Sequence, residues 1–231
     1  MKMEKKEYWK FLLQVARELR RPMHSLYCFS EVMQNEEWRE QLVDDERAEF
    51  YRCLENGLAD MNRMIDMLVD LSYYSGIDRL ERKDRVLINR LCEEVAKEQD
   101  VEVAFKSDCP DYYAILTNHE CLQKVLRILL KSACQRVKDR KDQSREATVS
   151  LQISERGTKG SLTFIVTDTG DRCSEEENIT TFNPPTNHHG RSFVMRTENY
   201  NCWRMVQLLG GFIYIDPHYY EGRRVIFDIT V

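Results

Sequence analysis

Nowhere in the 231 residues does an apolar run approach the ~18 needed to cross a bilayer, and no membrane segment is expected. The opening Met1–Lys2–Met3–Glu4–Lys5–Lys6 has no apolar stretch of the kind a signal peptide uses, so a cytoplasmic location is expected. No two of the eight cysteines stand as Cys-x-x-Cys, which removes the usual zinc and redox spacings and favours reduced thiols packed as small apolar groups. No metal site is expected either: His188 and His189 are adjacent, and neighbouring side chains need distant partners to hold one ion. Glycine is scarce between Gly170 and Gly210, where only Gly190 occurs, so a glycine-rich phosphate cradle cannot form there. Nor is there an excess of positive charge: the formal net charge of −5 argues against a non-specific nucleic-acid binder. The basic run Arg136–Lys138–Arg140–Lys141–Arg145 is broken by Asp139, Asp142 and Glu146, and reads as a solvated loop.

What is present is helical periodicity in a chain long enough for one large or two modest globular domains, with 42% hydrophobic and 32% charged residues. Leu12, Val15, Leu19, Pro22, Leu26, Phe29 and Met33 alternate steps of three and four, which is a heptad seam. Leu54, Leu58, Met61, Ile65 and Leu68 repeat it, and the polar stretch Asn35 to Glu46 is the right length for a hairpin connection. Two such helices cannot bury both seams alone, so a homodimer forming a four-helix bundle is predicted; a hairpin packed on its own domain is the alternative. The heptad puts Arg17 and His24 at the outermost position, facing solvent, and Pro22 inside the helix, where a kink is expected.

The polar connector Ser75 to Arg85 marks a boundary between a helical domain, 1–78, and a second domain, 79–231. The second begins with a helix from about Leu87 to Lys97, a strand around Val101 to Phe105, and an amphipathic helix presenting Leu122, Val125, Leu126, Leu129 and Ala133 on one face. Val149, Leu151 and Ile153 alternate with polar residues, and Gly157–Thr158–Lys159–Gly160 turns the chain into Leu162 to Val166, a β-hairpin. A last helix through Trp203 to Leu209 stops at Gly210–Gly211 before strands Phe212 to Ile215 and Arg224 to Val231. The predicted class is α+β: a helical hairpin followed by an α/β sandwich with helices on one face of a mixed sheet.

The stretch Val15–Ala16–Arg17–Glu18–Leu19–Arg20–Arg21–Pro22–Met23–His24 resembles the His-Glu-Leu-Arg-Thr-Pro-Leu block of bacterial sensor histidine kinases. Arg17 stands where that family has its phosphorylated histidine, and a guanidinium does not accept a phosphoryl group as an imidazole does. The second half resembles the Bergerat-type ATP-binding domain shared by histidine kinases, gyrase and the large heat-shock chaperone, the GHKL group. The family's Asn-Leu-Leu-x-Asn-Ala-x-Lys helix aligns with Ile128–Leu129–Leu130–Lys131–Ser132–Ala133–Cys134–Gln135, so Ser132 replaces the residue that ligates Mg²⁺ and Gln135 the lysine beside the phosphates. A serine hydroxyl is shorter than an asparagine amide, and Mg²⁺ demands near-ideal octahedral geometry. The family's Asp-x-Gly-x-Gly becomes Asp168–Thr169–Gly170–Asp171–Arg172: the adenine-reading carboxylate and first glycine remain, and Arg172 replaces the second. A plain turn at a strand end explains Asp168 equally. The glycine-rich lid falls at Val194–Met195–Arg196–Thr197–Glu198–Asn199, without a glycine.

Tight Mg·ATP binding is therefore not expected, and Asp168 and Gly170 leave room only for weak ATP or ADP with Mg²⁺. The resemblance implies two-component signalling in one of three forms. A degenerate kinase homologue would act as a dimeric scaffold, binding a response-regulator receiver domain or a partner kinase through Arg17, Arg20, Arg21 and His24. A phosphotransfer protein would use His24 as acceptor; it lies about 10 Å along the helix from Arg17 at ~1.5 Å per residue, too far for Glu18, the family's general-base position, to assist. An autokinase with a divergent site would need another acceptor.

Overall fold

The computed structural model describes residues 5–37, 44–141, 146–155, 160–183 and 193–231. His188, His189, Gly190, Arg145, the 157–159 turn and the middle of the hairpin connection lie outside them. The chain separates into two compact units, Met1–Tyr73 with Pro184–Thr197, and Tyr74–Asn183 with Glu198–Val231.

The first unit is built on two long helices, α1 (Lys5–Gln34) and α2 (Asp44–Gly76). They run antiparallel: Phe29 stacks on Phe50 with ring centroids 5.3 Å apart, Pro22 lies against Gly57, and Phe11 and Val15 meet Met67. Leu12, Leu19, Leu68 and Leu71 pack around that last cluster. α1 continues through Pro22, which removes one backbone hydrogen bond without ending the helix. Within one copy the seam expected on the second helix is only partly covered. Met64 and Met67 face inward, whereas Leu58 and Ile65 are 45% and 48% exposed. A hairpin buries only the face turned to its partner helix, so the heptad row through Leu58 and Ile65 is left on the outside.

The second unit begins with β1 (Asp84–Leu87), α3 (Ile88–Lys97), β2 (Val103–Ser107), β3 (Ala114–Thr117) and α4 (His119–Lys138). It continues through β4 (Val149–Ser154), β5 (Ser161–Asp168), α5 (Glu175–Thr180), the part of α6 (Phe193–Leu208) from Glu198 on, β6 (Ile213–Ile215) and β7 (Arg223–Thr230). β1 and β3 form an antiparallel ribbon; the main sheet runs β2-β4-β5-β7-β6, with β2–β4 parallel and the other pairs antiparallel. Alternation fixes which strand residues turn inward: Val149, Leu151 and Ile153 are buried, and Phe164 stacks on Phe227 at 4.6 Å. Leu122, Val125, Leu126, Leu129 and Ala133 of α4 join them in one core with Leu91 and Val95 of α3 and Cys202, Met205 and Val206 of α6. Asn118 caps α4 by accepting from the Cys121 amide at 2.9 Å. Gly210 ends the last helical stretch at φ +80, a conformation that favours glycine.

Candidate functional site

The outer face of α1 carries Arg17, Arg20 and His24, all exposed. The Arg21 side chain lies outside the described residues. Glu18 is half-exposed and its Oε1 accepts from Gln14 Nε2 at 2.7 Å, while His24 stands six residues further along the helix. His24 Nε2 stands 3.7 Å from Cys28 Sγ one turn on, and its ring remains open to solvent. The described part of this face offers guanidinium groups and one imidazole that an incoming protein surface can reach.

In the second unit the sheet delivers Asp168 to the end of β5, beside the last turns of α4. Its side chain is only 4% exposed. Oδ1 accepts from the Gly170 amide at 2.9 Å, and the Arg136 Nε–H is shared between Oδ1 at 3.3 Å and Oδ2 at 3.1 Å. The Arg136 terminal nitrogens donate to the Asp171 carbonyl and, at 3.0 Å, to Cys173 Sγ. Arg140, one helical turn later and buried, donates from Nη1 to the carbonyls of Glu146 and Thr169 at 3.1 and 3.2 Å. Burial pushes the Asp168 carboxyl above the ordinary aspartate value, while the Arg136 charge, the Gly170 amide and Arg223 pull it down. Burial also acts to lower the Arg136 guanidinium, but Asp168 and Cys173 outweigh it and the net direction is upward. An arginine keeps its proton in either case, so Arg136 meets Asp168 as a guanidinium.

These contacts correct the reading of the basic run as a solvated loop. Arg136 lies in α4 and Arg140 follows it; both turn inward, because four-residue spacing puts them on one face of the helical turn, while Lys138 and Lys141 stay exposed. Sequence reasoning missed Arg136 as a site residue, and its only signal was that spacing.

Ser132 is half-buried on α4, and the Gln135 amide donates to Asp139 Oδ1 at 2.8 Å on its own helix. Arg172 lies over the Tyr220 ring, 4.5 Å from its centroid. The 194–199 segment is helical as the opening of α6 and carries no glycine, and Thr197 and Asn199 are buried. Asp168 and Gly170 come together as expected, but the carboxylate is already engaged. Of the residues matched to the family's nucleotide positions, Asp168 is paired with Arg136, Ser132 offers a short hydroxyl and the Gln135 amide donates to Asp139, a poor match to the oxygen ligands that Mg²⁺ takes. Among the described residues no group of three or more His, Cys, Asp or Glu is placed to hold a metal, and no helix is long and apolar enough to cross a membrane.

No family model matches the sequence, and no curated protein matches it either. Solved structures do. Histidine kinase ThkA, determined in complex with response regulator protein TrrA, superposes with a TM-score of 0.68 at 18% identity, over 95% of this chain and 60% of that one. The histidine kinase AdeS of Acinetobacter baumannii gives 0.65 at 13% identity, over 92% and 96%. Full-length ShkA in complex with AMPPNP gives 0.63 at 15% identity, over 96% of this chain and 46% of that one. The chain thus spans about half of ShkA and three fifths of the ThkA chain. With helical N-terminal elements followed by a mixed-sheet domain on the same plan, it has the fold of a sensor histidine kinase core.

Proposed function

We propose that this chain is a two-component signalling protein that works as a dimeric, catalytically degenerate scaffold, binding a response-regulator receiver domain, or a partner kinase, through the outer face of α1. The observation that carries the reading is Arg17, exposed on the first helix of a histidine-kinase fold at the position where the resemblance places the phosphorylated imidazole. Asp168 paired with Arg136 and a glycine-free 194–199 helix support the loss of phosphoryl transfer. ThkA was solved with a response regulator, which fits a partner of that class here. Arg17 and Arg20 supply the positive charge that an acidic receiver pocket attracts, raising association rate and fixing orientation. Copies pair through the apolar rows that the hairpin leaves exposed.

The test uses radiolabelled ATP with Mg²⁺, the chain and candidate receivers. No label is expected on the chain, and calorimetric binding of a receiver is expected to weaken on Arg17→Glu; labelled protein overturns the reading. The exposed imidazole of His24 favours a second reading, phosphotransfer with His24 as acceptor. A phosphorylated receiver separates the two: label passing to the wild type and lost in His24→Ala supports transfer, and no label supports the scaffold.

A further inference from the structure

We propose that Arg136 is a resident occupant of the carboxylate at the centre of the nucleotide-like site, so that the base-binding half of that site is closed by the protein's own guanidinium. The inference deepens the degenerate-site reading and rests on its assignment of Asp168 as a base-reading group. Both Asp168 oxygens are used: Oδ1 takes the Gly170 amide and shares the Arg136 Nε–H with Oδ2. Arg136 is equally committed, with its other nitrogens on the Asp171 carbonyl and Cys173 Sγ. Arg223 is the direct strand partner of Asp168 in the β5–β7 ladder and adds a second buried positive group beside the carboxylate.

The surrounding backbone holds this arrangement. Arg140 ties the Thr169 carbonyl, and the Thr169 hydroxyl donates to the Glu146 carbonyl at 2.9 Å, so the turn after β5 is fastened at the residue next to Asp168. An exocyclic amine of a base is a neutral donor. To reach Asp168 it must displace a charged donor that forms roughly twice as strong a hydrogen bond and is tethered to the same chain. Moving Arg136 away would also take its donors from Asp168 Oδ2, the Asp171 carbonyl and Cys173 Sγ, leaving Oδ1 with the Gly170 amide.

Adenosine is the probe, because it carries a base and no phosphate and so ignores the lid and the metal position. Titrated by NMR, the wild type is expected to show no saturable binding, Arg136→Ala to bind at least about tenfold more tightly than any wild-type limit, and Arg136→Ala/Asp168→Asn to lose the gain. A wild type that binds as tightly as the variant overturns the proposal, as does a folded variant that gains nothing. Should Arg136→Ala fail to fold by circular dichroism, Arg136→Gln carries the same expectation. In the wild type itself, the Arg136 Nε–H resonance is expected to stay protected from exchange and unmoved by adenosine; movement on titration overturns the proposal without any variant. A folded Arg136 variant that gains no adenosine binding leaves the scaffold reading intact, whereas labelling of the chain by ATP ends the scaffold reading without bearing on base access.

Discussion

Gly170 is set so close to its neighbours that a methyl group changes the site: a Cβ there would stand 2.9 Å from both the Arg136 carbonyl oxygen and Asp168 Oδ1. Gly170→Ala is therefore expected to destabilise the second unit by about 1–3 kcal/mol, read as a lowered urea midpoint with unchanged slope. Asp168 and Gly170 were legible in the sequence because their spacing is a motif. Arg136 was not, since its partner lies 32 residues away and a charge run gives no sign of which members turn inward. Gln135 illustrates the same limit. Its substitution for a lysine was plain from the sequence, but its engagement by Asp139 depends on a rotamer that composition does not encode.

At the level of elements, α3 and α4 are joined by an arginine–carboxylate fork: Arg127 Nε and Nη2 each reach a Glu98 oxygen at 2.6 Å. The hydrogen bonds from Arg127 hold Glu98 below its ordinary value, against a smaller opposing effect of desolvation. A carboxyl depressed in the folded state stabilises above its unfolded value and loses that contribution as pH falls through the folded value. The difference in urea midpoint between wild type and Arg127→Ala is thus expected at neutral pH and to vanish as pH drops below the carboxylate range; a difference that persists at low pH would assign it to packing instead. The sequence located α4, β4 and β5 well because their apolar positions repeat with clean periods of 3.6 and 2. β1 and β3 have four residues each, too few for a period to emerge, and α5 buries nothing. Its one signal was the Ser174–Glu177 spacing, which the structure shows as a full capping box. The start of α6 was missed because Thr197, Asn199 and Asn201 are buried polar residues that blur the apolar stripe.

Over the whole molecule, hydrophobic burial is uneven. The α/β unit holds a large continuous core, while the described core of the hairpin is Phe11, Val15 and Met67 with four partly buried leucines. Leu58, Ile65, Val69 and Tyr73 fall within one sector of α2 and are 45%, 48%, 61% and 57% exposed. Under the dimeric reading, a second copy covering that row would give the hairpin burial it lacks alone. A dimer is expected by light scattering at micromolar concentration, and Ile65→Lys is expected to shift it to monomer; a monomeric wild type would rule out pairing through this face. The heptad spacing made Leu58 and Ile65 visible in the sequence, whereas Val69 and Tyr73, and which positions face α1, required the packing of Met64 and Met67.

Arg17 also sets how such a protein would act in a cell. A side chain that never carries phosphate gives the chain no charged and uncharged state to cycle between, so under the scaffold reading its influence follows from stoichiometry. Each copy would then engage one receiver, and the strength of the effect would follow the number of copies present.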